Sequence, residues 1–398
     1  MLTGCLPSSL QVMIVSIATW LIVGAVAGVS VLSAQTTRVG TVYNAVPVAR
    51  IDPDSPNVNA MLSLVGGAVS MPNGTLVVAQ PLEKLLRMFD STGAFRSVLG
   101  RSGKGPGEFE SLPAAGRVGD SLYAVDHRTR RLSIFPQAAS PSVSIPLPLL
   151  RLENAEYAFL EAILANGFAI SMVSQSTAST SPVQTLYLHH RDGSQVQQIA
   201  TFREGDYFAP IKVGPLKLQF PQPLVARPYV VFSPPSGRLV VVRTTVPEAG
   251  RAAAVELTWI TPAGRTEVQR VAVPVVSVRT SDVDSILVAF SSAMAPALTR
   301  SGGAISQREL REKAQNVLVK KSIFPPLERA FMGDDARVWL RIRGQAEWWI
   351  VTRGQAVVDR IRLPAKAELL TASGKTVWTQ ETNDDELPVL VRYVLVKQ

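Results

Sequence analysis

A chain of 398 residues with one cysteine, Cys5, can form no internal disulfide and no cysteine metal cluster. Histidine is almost as scarce, with three residues at His127, His189 and His190. The last two are neighbours on an apolar, β-rich run, where successive side chains point to opposite faces. A shared zinc site is therefore not expected. The sequence holds no Gly-x-Ser-x-Gly elbow, no Walker phosphate loop and no nucleic-acid motif. Carboxylates are plentiful, but spacing pairs none of them for acid–base work. No catalytic residue is assigned, and the chain reads as a binding protein before it reads as an enzyme.

What is present is apolar and evenly punctuated. Hydrophobic residues make up 46% and charged residues 18%, enough for an extensive core. The 28 prolines and 27 glycines are spread along the chain, as an all-β protein with many turns requires. The formal net charge is +9, with basic side chains interspersed rather than in blocks. That pattern describes a basic surface, not a nucleic-acid partner. Residues 12–34, from Val12 to Ala34, form an uncharged apolar run ending in Ser33-Ala34-Gln35. The expectation is a signal peptide over 1–34, cleaved near Ala34, or alternatively an uncleaved membrane anchor. Either places residues 35–398 outside the cytoplasm: periplasmic, at the cell surface or secreted. Leu2-Thr3-Gly4-Cys5 precedes the run instead of following it, so it is not read as a lipoprotein box.

An internal repeat sets the architecture. Asn73-Gly74 opens the run Thr75 to Ala79, and Gly119-Asp120 opens Ser121 to Val125, 46 residues later. The following strands keep that offset, Lys84 to Phe89 (KLLRMF) against Arg130 to Phe135 (RRLSIF). Looser copies begin at Asn166-Gly167, Ser236-Gly237, Asp334-Asp335 and Ser373-Gly374. Short β-rich runs bounded by turn residues are the hairpin signal. Four-stranded units in a ring leave only short, protected edges. The last copy ends after a third strand, so Ala45 to Ile51 is expected to supply the fourth and close the ring.

Phe89-Asp90-Ser91-Thr92-Gly93, followed by Gly100-Arg101-Ser102-Gly103-Lys104-Gly105-Pro106-Gly107-Glu108-Phe109, resembles exported bacterial six-bladed β-propellers related to NHL-repeat proteins. The match is strongest over 73–135, and residues 200–320 depart from it. The resemblance implies an all-β, six-bladed propeller with four-stranded blades, closed by the N- and C-terminal strands. A partly helical insertion, 275–326, is expected between blades 4 and 5. Val283, Ile286, Leu287 and Phe290 recur at helical spacing with Ser281 as the expected cap, and a second helix is expected from Gln307 to Lys321. The insertion reads as a packed cover for a sheet edge, or else as a lid over the channel mouth.

In a propeller the tight turns (a–b and c–d) share one face, and the b–c loops and inter-blade crossings share the other. Here the long connections, 100–112, 174–184, 202–225 and 275–326, belong to the crossing face, which is the expected binding face. Its candidates are Arg101, Lys104 and Glu108 in the glycine-rich loop, with Asp126, His127, Arg128 and Arg130 in the neighbouring turn. Guanidiniums, a carboxylate and an imidazole together suit an acidic ligand. For the same residues, loop-internal turn bonding and solvent exposure is the plainer reading. Trp348 and Trp349 alternate faces on one strand, so one is expected in the core and the other between blades. The expected partner is a protein, peptide or glycan, the expected state a monomer, and no cofactor is expected. The alternative is a metal-dependent, lactonase-like hydrolase or lyase, with Ca²⁺ or another hard ion held by carboxylates in the central channel.

Overall fold

The computed structural model describes residues 38–398 except 55–56, 112–113, 127, 139–142, 147–156, 165–166, 176–181, 191–194, 204–205, 215, 246–251, 262–264 and 301–304. The apolar run 12–34, His127, most of the loop 174–184 and the turn residues Asn166, Arg191 to Gly193 and Ala263-Gly264 lie outside the described residues. Among the described residues no helix is long and apolar enough to cross a membrane.

The chain folds into small antiparallel sheets of up-and-down strands, a propeller-like all-β arrangement. Unit 1 consists of Gly67–Ser70, Leu76–Gln80, Leu85–Phe89 and Phe95–Leu99, and unit 2 of Ala114–Val118, Ser121–Asp126, Arg131–Phe135 and Val143–Pro146. Unit 3 spans Tyr157–Leu164 to Gln195–Arg203 and unit 4 spans Tyr229–Ser233 to Thr266–Ala272. Unit 5 spans Leu327–Met332 to Val357–Arg362. Unit 6 combines Glu368–Ser373, Thr376–Thr382 and Pro388–Lys397 with the N-terminal strand Arg38–Ile51. That strand is longer than the sequence pattern suggested. Its second half pairs antiparallel with Pro388–Lys397, and its first half pairs parallel with Val357–Arg362 of unit 5. Arg38–Ile51 thereby lies between Val357–Arg362 and Pro388–Lys397 in one continuous sheet.

The second strand of each well-described unit has an apolar, buried centre because both of its faces are covered. Leu76–Gln80 is buried at every position. Val77 and Ala79 pack toward unit 2, whereas Leu76 and Val78 pack toward Trp378 and Leu390 of unit 6. Units 3 and 4 meet at Leu186, Leu188, Leu239 and Val241. Units 4 and 5 meet at Val240, Val242, Leu257, Trp259, Val338 and Leu340. Trp339, Val377 and Tyr393 join units 5 and 6. Trp348 and Trp349 correct the expectation of one core and one inter-blade residue. Both are buried between units, Trp348 toward unit 6 and Trp349 toward unit 4.

The insertion carries two helices, α1 (Thr280–Arg300) and α2 (Gln307–Val317). Ser281 is not the cap, since it lies inside α1. The carboxylate of Asp282 instead reaches back to the backbone N–H of Arg279 at 2.8 Å, the half of a capping box that an acidic residue supplies. Ser306 caps α2 by accepting from the N–H of Glu309. The helices pack on a hairpin within crossing 202–225, Phe208–Val213 against Leu216–Pro221. Phe220, Leu287, Leu298, Leu310 and Leu318 form this separate core.

Gln222, buried at 2% exposure, fastens the end of α2. Its amide donates to the Val317 carbonyl and accepts from the Val319 N–H, both at 2.8 Å. Gln222→Ala strands both groups and is expected to loosen the insertion by about 2 kcal/mol. Faster tryptic cleavage within 307–321, with the sheets still folded, is the result to look for.

Candidate binding face

Unit 2 meets the crossing from unit 1 through one buried carboxylate. Asp126 ends the second strand of unit 2 and is 1% exposed. One oxygen accepts from the N–H groups of Arg128 and Thr129 at 2.9 and 3.0 Å. The other accepts from Glu110 and Ser111 at 2.7 and 3.3 Å. Burial pushes this carboxyl up, but the donors of Thr129, Glu110 and Ser111 outweigh it and hold the group below its ordinary value. The carboxylate ties the turn and the incoming loop into one body.

Within the loop, Glu108 accepts from the Gly105 N–H at 2.8 Å and pairs with Arg101 at 2.7 Å. Those two interactions, in that order, hold its carboxyl below the usual range. Gly100 has φ +75°, and a Cβ there would meet the Phe109 ring at 2.3 Å. Glu110 lies 3.4 Å from the Lys104 ammonium and 3.7 Å from Arg128, and Arg131 donates to the Lys104 carbonyl. The structure thus brings Arg101, Lys104, Glu108, Asp126, Arg128 and Arg130 onto neighbouring loops. Asp126 faces inward, while Arg101, Lys104 and Arg128 are mostly exposed.

The same device recurs one unit earlier, at residues that sequence reading passed over. Gln80 stands 46 positions before Asp126 and is fully buried. Its side-chain oxygen accepts from the N–H and hydroxyl of Ser63 at 2.9 and 3.0 Å. Lys84 and Arg130, also 46 apart, both adopt left-handed backbone, φ 58° and 52°. Aligning the two copies one residue beyond the apolar run would have revealed Gln80. Its mixed polarity hid it among loop residues.

On the opposite face, inner strands of several units meet. Arg117, from the inner strand of unit 2, reaches Asp334 in the first turn of unit 5 at 2.8 Å. The Asp334 backbone N–H donates to Ala372 of unit 6, and its carbonyl accepts from Ser233 of unit 4 at 3.3 Å. Inner strands of four units therefore converge on one residue. Burial raises the Asp334 carboxyl, and Arg117 pulls it part of the way back. Among the described residues no three His, Cys, Asp or Glu side chains are grouped to hold a metal ion. His189 is buried and His190 exposed, on opposite faces of Pro182–His190.

No protein-family model matches the chain, and no curated protein matches it. Solved structures similar to it include a Bacteroides fragilis protein described as exported, 9% identical, covering 89% of this chain and 95% of that one at a TM-score of 0.42. Regucalcin from Agrobacterium tumefaciens is 12% identical, with coverage of 90% and 96% and a TM-score of 0.36. A virginiamycin B lyase from Staphylococcus aureus is 11% identical, with coverage of 89% and 99% and a TM-score of 0.38.

Proposed function

We propose that the chain is an exported, closed six-bladed propeller that binds without catalysis and takes an acidic ligand on its crossing face. Units 1 to 6 are the blades, and Arg38–Ile51 completes the last. One observation carries the functional reading: the carboxylate of Asp126 accepts only from backbone N–H groups, while Arg101, Lys104 and Arg128 keep about three quarters or more of their surface exposed beside their partners Glu108 and Glu110. Segments 100–111 and 126–131 together hold five Lys and Arg side chains against three carboxylates. The Arg117–Asp334 pair on the tight-turn face supports the crossing side as the side a ligand approaches.

Retention of the full chain on immobilised poly-L-glutamate tests this. Arg101→Ser with Arg128→Ser is expected to weaken retention about fivefold, two exposed charges contributing roughly 0.5 kcal/mol each. Retention is also expected to fall steeply with salt. Arg265→Ser with Lys375→Ser, on the tight-turn face, is expected to change nothing. Equal losses for the two pairs, or retention indifferent to salt, contradict the reading.

A further inference from the structure

The crossing face carries an apolar patch next to its cations. Val58 is 68% exposed, Leu82 69%, Leu64 51% and Met61 42%. The first, third and fourth lie in the crossing from unit 6 to unit 1, and Leu82 lies in the b–c turn of unit 1. Hydrogen bonds fasten these loops together: Arg87 donates to the Asn59 carbonyl at 2.6 Å, and Ser63 donates to Gln80. The short 3-10 turn Val58–Ala60 packs on strand Phe95–Leu99, which runs directly into Gly100 and the cationic loop. Apolar patch and basic platform are thus neighbours on one braced surface.

Resting on the crossing-face reading, we propose that the partner is a polypeptide segment that is both acidic and apolar. Its Leu-, Ile- or Phe-type side chains sit on Val58, Met61, Leu64 and Leu82. Its carboxylates reach Arg101, Lys104, Arg128 and Arg130. An apolar centre rimmed by arginine is the composition of a protein interface, and braced loops lose little freedom on binding. An anionic bilayer fits less well. Among the described residues no aromatic side chain is strongly exposed, whereas membrane interfaces favour Trp and Tyr.

A randomised peptide display library, panned against the full chain, tests the proposal. Selected peptides are expected to combine Asp or Glu with Leu, Ile or Phe. A synthetic consensus peptide is expected to bind Leu82→Asp about tenfold more weakly, the cost of losing one buried leucine contact. Arg128→Ser with Arg130→Asn, where asparagine tolerates the left-handed backbone, is expected to give a comparable loss that shrinks at high salt. Leu82 is exposed, so its replacement leaves the fold intact, and an unchanged thermal midpoint confirms this.

Selected peptides that are acidic but insensitive to Leu82→Asp overturn the apolar half and leave the crossing-face reading standing. Peptides sensitive only to Lys375→Ser overturn both. Failure to select any acidic–apolar sequence overturns the inference. So does tighter binding to phosphatidylserine vesicles that requires Leu82, which assigns the patch to a membrane.

Discussion

Asp126→Ala is expected to lower stability to unfolding by about 3 kcal/mol, read by chemical denaturation of the full chain. The substitution leaves four backbone N–H groups in a buried site without their acceptor, and unsatisfied donors of this kind cost about 1–3 kcal/mol each before water enters to relieve some of them. Asp126→Asn is expected to be nearly as damaging, because its NH₂ must face either the Glu110 and Ser111 donors or those of Arg128 and Thr129. The loss should be concentrated locally, with amides of 100–111 exchanging faster than those of the sheets. Acid supplies an independent check. The folded carboxyl is held below its ordinary value, so its contribution is present above the unfolded value of about 4 and is lost as pH falls through the folded value. Wild type should therefore lose stability below about pH 4 more steeply than Asp126→Ala does. Parallel acid profiles would show that the carboxylate is not what joins turn and loop.

Arg117→Met is expected to cost about 2–3 kcal/mol, because it abandons the Asp334 carboxylate on the tight-turn face. That is below the 3–5 kcal/mol of a fully buried pair, since the two side chains keep 12% and 25% of their exposure. The double replacement, Arg117→Met with Asp334→Leu, is expected to regain most of the loss, as apolar substitutes for buried pairs often do. The sign of the Asp334 shift supports this. Its folded carboxyl is raised, so between the unfolded value near 4 and the higher folded value, rising pH removes stability. The pair is therefore expected to contribute more to how units 2, 4, 5 and 6 meet than to stability. If the double variant were as unstable as the single one, the ion pair itself would be the stabilising element. The two aspartates illustrate one rule from opposite sides: four N–H donors hold the Asp126 carboxyl below its ordinary value, and one guanidinium does not bring Asp334 back to its own.

The parts of the fold legible in the sequence were those with local signals. The 46-residue offset located units 1 and 2, and the turn pairs located the others, because each turn needs a residue tolerant of unusual backbone. Helix α1 was legible from its spacing and α2 from its charged stretch, but α2 ends at Val317 and not at Lys321, and the start of α1 was not legible. Asp282 acts from inside the helix, and the cap position itself is Arg279, which carries no capping signal. The hairpin Phe208–Pro221 was missed because its strands serve a core shared with helices some 70 residues onward in sequence, not a neighbouring unit. Arg101, Glu108 and Asp126 stand out in the sequence as residue types, but spacing carries nothing about direction, so the inward carboxylate and outward cations appear only in three dimensions. The first half of Arg38–Ile51 was illegible for a related reason: parallel pairing with unit 5 leaves no turn signal.

Hydrogen–deuterium exchange of the full chain, with and without the consensus peptide selected on it, tests the binding account most directly. The account predicts protection in 57–64, 80–84, 100–111 and 126–131, with the tight-turn segments 333–337, 352–356 and 373–375 unchanged. Protection confined to those tight-turn segments would contradict it.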